Sequence, residues 1–231
     1  MSGPAIAPPP VAHARTPSPP RDHAAARPET EAARGPREVD NRAAYLGFGL
    51  AHVLGHGAAA LSEGPAPLLD LPGWLPSTLL VGGLVAGIAL ATIAAARAQH
   101  GAPAAEVLSG RLLGVAWIAA FTVLFLAITG LTSLVDEPQL QSVLWPAGSG
   151  LVVGLLYLAE GAVRRNVSHY CLGLWLALIS TAALPLGTPG LYWVLAAAGG
   201  GAYVLAAALE HRRRGATARA GSALRIGVRP A

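Results

Sequence analysis

Of 231 residues, 53% are hydrophobic and 12% charged, about half the charged share of an ordinary soluble domain, which excludes a water-facing surface over most of the chain. All 16 basic residues are arginines, so no lysine is present to hold a nucleotide phosphate in a P-loop or to form a Schiff base. A single cysteine, Cys171, excludes an internal disulfide, a CxxC redox pair and a cysteine-rich metal site.

Residues 1–41 carry nine prolines and charges of both signs without an apolar period, the composition of a disordered tail. They lack the continuous apolar core of a signal peptide. Thr16-Pro17 and Ser18-Pro19 are phosphorylation candidates of a kind common in proline-rich tails. Six apolar stretches follow, at 43–61, 74–96, 112–135, 143–163, 167–186 and 190–209. Each is close to the ~20 residues that a membrane-crossing helix requires. The first is the least apolar, with two histidines and four glycines, and Pro185 bends or ends the fifth. Residues 212–231 form a basic tail. The predicted fold is all-α, a polytopic membrane bundle of six transmembrane helices in three hairpins.

The arginines fall in the first 42 residues, at Arg97 and Arg111, at Arg164–Arg165, and from Arg212 onward. The alternate turns carry only Glu63, Asp70, Asp136 and Glu137. Cytoplasmic loops are the arginine-rich ones, so both tails are predicted to be cytoplasmic. An even number of crossings keeps every arginine inside, which supports the weak first span. Topology also accounts for the pI near 9.8 without nucleic acid as a partner.

Aromatic residues fit the same layout. Trp74, Trp145 and Trp193 open the second, fourth and sixth spans just after outer turns, where an amphipathic ring anchors at the headgroup level. Trp117 and Trp175 lie deeper and are assigned to helix packing. The odd spans each carry a Leu-Gly pair, Leu46-Gly47, Leu113-Gly114 and Leu172-Gly173, the trace of a three-hairpin repeat or a coincidence of composition. Small residues four apart, Gly83 and Gly87, Gly150 and Gly154, Ala197 and Gly201, allow helices to approach closely. They serve packing within the chain, or a homo-oligomer or partner.

His52 and His56 are the leading functional candidates. Four residues apart, they share a helix face, and an ionisable residue within a span is a functional hypothesis. Three readings stand: metal or haem ligands, a proton or substrate pathway, or neutral histidines bonded to a neighbouring helix. A metal would need further ligands, and His169 lies at a different level. Glu160 precedes Arg164 by four residues, the favourable order for a helical ion pair; a proton or cation gate is the alternative. Gly148-Ser149-Gly150 resembles the serine motif of rhomboid-type proteases, but no histidine lies in the sixth span to face it. No HExxH or aspartate-rich motif occurs, and no catalytic residue, metal or cofactor is assigned.

Two segments carry a family resemblance: YLGFGLAHVLGHGAAALS in the first span, and LQSVLWPAGSGLVVGLLYLAEGAVRRNVSHYCLGLWLALISTAALPLGTPGLYWVLAAAGGGAYVLAAALEHRR over the last three. Over roughly 43–214 the chain resembles small six-span integral membrane proteins of high-GC bacteria, often labelled ABC transporter permease. The resemblance implies a bacterial inner (plasma) membrane location and brings no site residues. The leading expectation is the membrane subunit of a transporter, not itself an enzyme, with any ATP hydrolysis on a separate ATP-binding chain. The alternatives are a membrane scaffold without transport activity and a histidine-dependent redox or proton-linked protein.

Overall fold

A computed structural model describes residues 39–227, and every regular element among them is helical. Five helical stretches are long and apolar enough to cross a membrane, a hallmark of a multi-pass membrane protein. Helix α1 spans Arg42–Ser62, with His52–His56 wound as a π turn. Helices α2, Trp74–Gln99, α3, Ala104–Val135, and α4, Gln141–Val163, follow. Helix α3 begins before the expected 112 because Pro103, at φ −57°, starts it, with Glu106 in the first turn; an acidic residue there suits the positive end of the helix dipole. Arg111 therefore lies within the helix. Of the expected tails, 1–41 and 212–231, residues 1–38 and 228–231 fall outside the described residues, whereas 212–227 continue the last helix.

The fifth stretch, Val167–Ala216, is not one rod. Helix α5, Val167–Ala182, passes into a 3-10 turn at Leu184–Leu186. Helix α6 then comprises Gly187–Val194, a second π turn at Leu195–Gly199, and Gly200–Gly227. At the junction Gly187 has φ +57°, Thr188 is extended, and the Thr188–Pro189 peptide is cis. A continuous helix would hold Trp175 and Ala198 roughly 35 Å apart at its usual rise. Instead Trp175 Nε1 donates to the Ala198 carbonyl at 3.0 Å. Leu172, Leu176 and Ile179 of α5 share one apolar cluster with Tyr203, Ala206 and Ala207 of α6. The chain reverses between them.

Small residues set the tightest contacts. In lipid there is little hydrophobic drive between helices, so close backbone approach and van der Waals contact supply the association. A Cβ on Gly173 of α5 would lie 2.5 Å from Leu158 N and 2.6 Å from Gly154 O. A Cβ on Gly154 of α4 would lie 2.5 Å from Ala177 N. The second seam joins α1 to α2 in antiparallel register: Gly47 against Gly87, Ala51 against Gly83, and Gly55 against Leu80. Helix α1 also packs on α6, with Gly49 against Tyr203 and Gly200 against Val53. Gly83, Gly87, Gly150 and Gly154 thus all sit in helix contacts, Gly150 beneath the Ser180 hydroxyl. Ala197 and Gly201 do not. Both are exposed and Gly201 has nothing near it. The π turn at 195–199 interrupts the regular helical spacing there, and Gly199 and Gly200 make the contact instead.

Helix α3 stands apart. Only Ile128 and Thr132 are buried along it, and a Cβ on Gly114 would meet nothing within 4 Å. Of the three Leu-Gly pairs, Gly47 and Gly173 are therefore closed in contacts and Gly114 is not.

The helix register gathers the described arginines at one end. Arg42 Nη1 donates to His211 Nδ1 at 3.3 Å, and Arg214 Nε lies 3.7 Å from Asp40, so the start of α1 meets α6 beyond its apolar part. Glu210 is buried between Arg213 and Arg214, each at 2.8 Å. Glu63 lies at the opposite end, beside Tyr192, whose hydroxyl donates to Ser142 O at 2.8 Å.

Gly173→Ala is expected to destabilise the folded protein by about 1–3 kcal/mol, the usual cost of overpacking, whereas Gly114→Ala leaves stability unchanged. Thermal unfolding in detergent checks both; equal midpoints would remove the special role of the α4–α5 seam. A second prediction concerns Asp40, whose carboxyl is held down to about 2 from the usual 3.8, chiefly by its hydrogen bond with Arg42. A carboxylate depressed on folding stabilises above its unfolded value and loses that contribution as pH falls through the folded one. Amide exchange in the first turn of α1 should accelerate over that acid window, and Asp40→Asn should accelerate it at neutral pH too.

Candidate functional site

A cleft of about 860 Å³ runs along the bundle between α1, α2, α3 and α4, with Tyr192 and Tyr203 of α6 at its back. Ligand pockets commonly fall within about 300–1,000 Å³. The cleft exists because α3 does not close on α1: Leu113, Gly114, Trp117, Ile118 and Phe121 form its far wall. Asn41, Gln99, Glu160 and Arg164 line the arginine-bearing end. Glu63, Ser77, Gln141 and Ser142 line the other. Most of the wall between is aliphatic or aromatic.

A continuous series of rings carries polar groups along the cleft. His56 stacks on Tyr192, centroids 5.9 Å apart, and meets His52 edge-on at 5.2 Å. His52 lies 5.0 Å from Tyr203, which is 6.3 Å from Tyr157 and 6.4 Å from Tyr45. Tyr157 and Tyr45 both pack on His169, at 4.2 and 5.9 Å. At the arginine-bearing end Glu160 Oε2 is 3.4 Å from His169 Nε2, and Glu160 Oε1 is 2.9 Å from Arg164 Nε. At the opposite end Glu63 lies beside Tyr192; burial raises its carboxyl above the usual range, partly offset by the nearby Tyr192 hydroxyl.

Local backbone geometry places the two leading histidines. The π turns of α1 and α6 face each other; such turns recur at functional sites because the extra residue re-aims side chains. The His52 ring fills the space left by Gly199, its Cδ2 only 3.1 Å from where a Cβ would sit. His52 Nδ1 donates to Phe48 O at 2.9 Å. A carbonyl only accepts, so this nitrogen carries a hydrogen, and in the neutral ring Nε2 presents a lone pair. His56 is buried, lines the cleft, and makes no hydrogen bond to another described residue.

Of the residues singled out in the sequence, His52, His56 and Glu160 are brought to one cleft. Glu160 has its expected partner in Arg164 and a second, His169, that spacing did not suggest. The three tryptophans differ. Trp74 and Trp193 are exposed, whereas Trp145 is half-buried, lines the cleft and packs on Phe125. Ser149 also lines the cleft, but no described hydrogen bond joins it to a histidine. No group of three or more potential metal ligands occurs among the described residues. Tyr45, Tyr157 and Tyr203 escaped the sequence reading, and His169 was set aside there as lying at a different level from His52 and His56. Their signal was available: Tyr157 and Tyr203 fall well inside their spans, away from the interfacial belts that tyrosine favours.

No protein-family model, curated protein or solved structure matches this chain, so the site is read from its own geometry, and the permease resemblance gains no support from these comparisons.

Proposed function

We propose that this chain is the membrane component of a bacterial inner-membrane transporter, and that its cleft is the pathway of a small amphipathic organic molecule. The observation that carries this reading is His56: an imidazole with no hydrogen bond to another described residue, lining a largely apolar space that reaches toward both ends of the bundle. Its ring nitrogens are not among the fully buried atoms left without a partner; they open on the cleft, where an occupant with one donor or acceptor can reach them. The apolar wall takes the rest of such a molecule. Six crossings with both tails in the cytoplasm agree with the reversal at Gly187–Pro189 and with the arginines gathered at one end. Any ATP hydrolysis belongs to a separate ATP-binding chain, since this one has no lysine.

The test is flux in proteoliposomes of the full chain, with any co-purifying subunit retained, using a panel of cationic, zwitterionic and anionic fluorescent dyes. At least one dye should move, and His56→Leu should lower its flux roughly tenfold, the kinetic equivalent of one lost hydrogen bond to the occupant. If no dye moves and none quenches Trp117 or Trp145, the transport reading fails and the scaffold alternative takes its place.

A further inference from the structure

The arginine-bearing end of the cleft holds a cluster that substrate passage alone does not require. Helix α5 begins at Asn166, whose Oδ1 accepts the His169 backbone N–H at 3.1 Å. This cap sets His169 on the first turn, where its ring is buried between Tyr45 of α1 and Glu160 of α4. Both ring nitrogens face oxygen. Nδ1 is 2.6 Å from the Tyr45 hydroxyl. Nε2 is 3.4 Å from Glu160 Oε2, an ion-pair distance at which no hydrogen bond is made.

We infer that His169 and Glu160 form a reversible proton-binding site, with Tyr45 as its positioning residue. In the proton-free state the Tyr45 hydroxyl donates to Nδ1, and the N–H of Nε2 points at the Glu160 carboxylate. A proton added at Nδ1 makes the imidazole a donor at both nitrogens. The Glu160 carboxylate lies 3.4 Å from Nε2 as the counter-charge, and the Tyr45 oxygen now accepts from Nδ1. The Tyr45 hydroxyl hydrogen must then turn away, and the Asn41 side chain lies within its hydrogen-bonding reach. Both states keep the Tyr45–Nδ1 hydrogen bond and the Glu160 carboxylate beside Nε2, so an added proton has a counter-charge in the apolar interior. The change reverses one hydrogen bond between α1 and α5.

The surrounding charges suit this role. From α4, Tyr157 lies against the ring and Arg164 holds the other Glu160 oxygen. From α6 come the neutral Tyr203 and, at the end of the bundle, Glu210 engaged by Arg213 and Arg214. Asp40, at the start of α1, pairs with Arg42 and lies within ion-pair distance of Arg214. Helices α2 and α3 bring Gln99 and Trp117, both uncharged, to this part of the cleft. Tyr45, Glu160 and His169 line the cleft themselves, so the proton is bound where the proposed substrate passes. Coupling of the two rests on the transport reading; the proton site does not.

The site is tested on the full chain in lipid nanodiscs, with histidine nitrogens labelled with nitrogen-15 and no substrate added. One histidine should pass reversibly from a neutral to a doubly protonated ring as the pH is lowered. The signal should vanish in His169→Gln and shift by about one pH unit in Glu160→Gln, the effect expected on removing one close charge. Tyr45→Phe keeps the ring volume and should alter the tautomer of the neutral form, which a purely packing role would not. A His169 signal that holds one tautomer throughout that titration overturns the inference. So does a titration unmoved by Glu160→Gln. Titration without any dye flux would uphold the proton site while the transport reading falls; pH-independent flux with a silent His169 would do the reverse.

Discussion

Charge is expensive inside a bilayer, and that cost organises this molecule. An arginine or aspartate at the centre of a spanning helix costs at least about 2.5–3.5 kcal/mol. The described arginines are accordingly collected at one end of the bundle, where Arg42, Arg213 and Arg214 meet Asp40 and Glu210 and tie the start of α1 to the far part of α6. What remains within the spans is polar without being obligatorily charged: histidines and tyrosines placed against one another from Tyr192 to His169. Glu160 enters only with Arg164 and His169 beside it.

The same scarcity of driving force explains the cleft. Helices in lipid close on one another where small residues let backbones touch, as at Gly154–Gly173 and Gly47–Gly87. Helix α3 offers no matching surface at Gly114 and carries large side chains, Trp117 and Phe121, toward the interior. A gap remains between α3 and α1. Two facing π turns sit beside that gap and give it its polar wall, so a local departure from helical spacing connects the packing of α1 on α6 to the chemistry of the cleft.

Much of this architecture was legible as sequence. Apolar length marked the helices, and the alternation of arginine-rich and arginine-free turns ordered them. Glycines four residues apart pointed to four of the close contacts. The pair Ala197 and Gly201 failed because a π turn breaks the period on which the reading depends, and nothing in LAAAG announces one. His52 and His56 stood out by spacing along one helix. His169 and the interior tyrosines did not, because their partners lie on other helices: Tyr45 and His169 are 124 residues apart. Contacts of that kind have no signature in spacing, and depth within a span was the one clue available.

The most direct measurement is the sidedness of the two flanks of α5. In intact cells expressing the chain with Cys171→Ser, single cysteines at Thr188 and Arg165 would be challenged with a membrane-impermeant maleimide. A chain that reverses at Gly187–Pro189 and crosses six times labels at Thr188→Cys from outside, and at Arg165→Cys only after permeabilisation. Labelling of both from the same side would mean that residues 167–216 do not fold back across the membrane, and the cleft built on α1, α4 and α6 could not form as described.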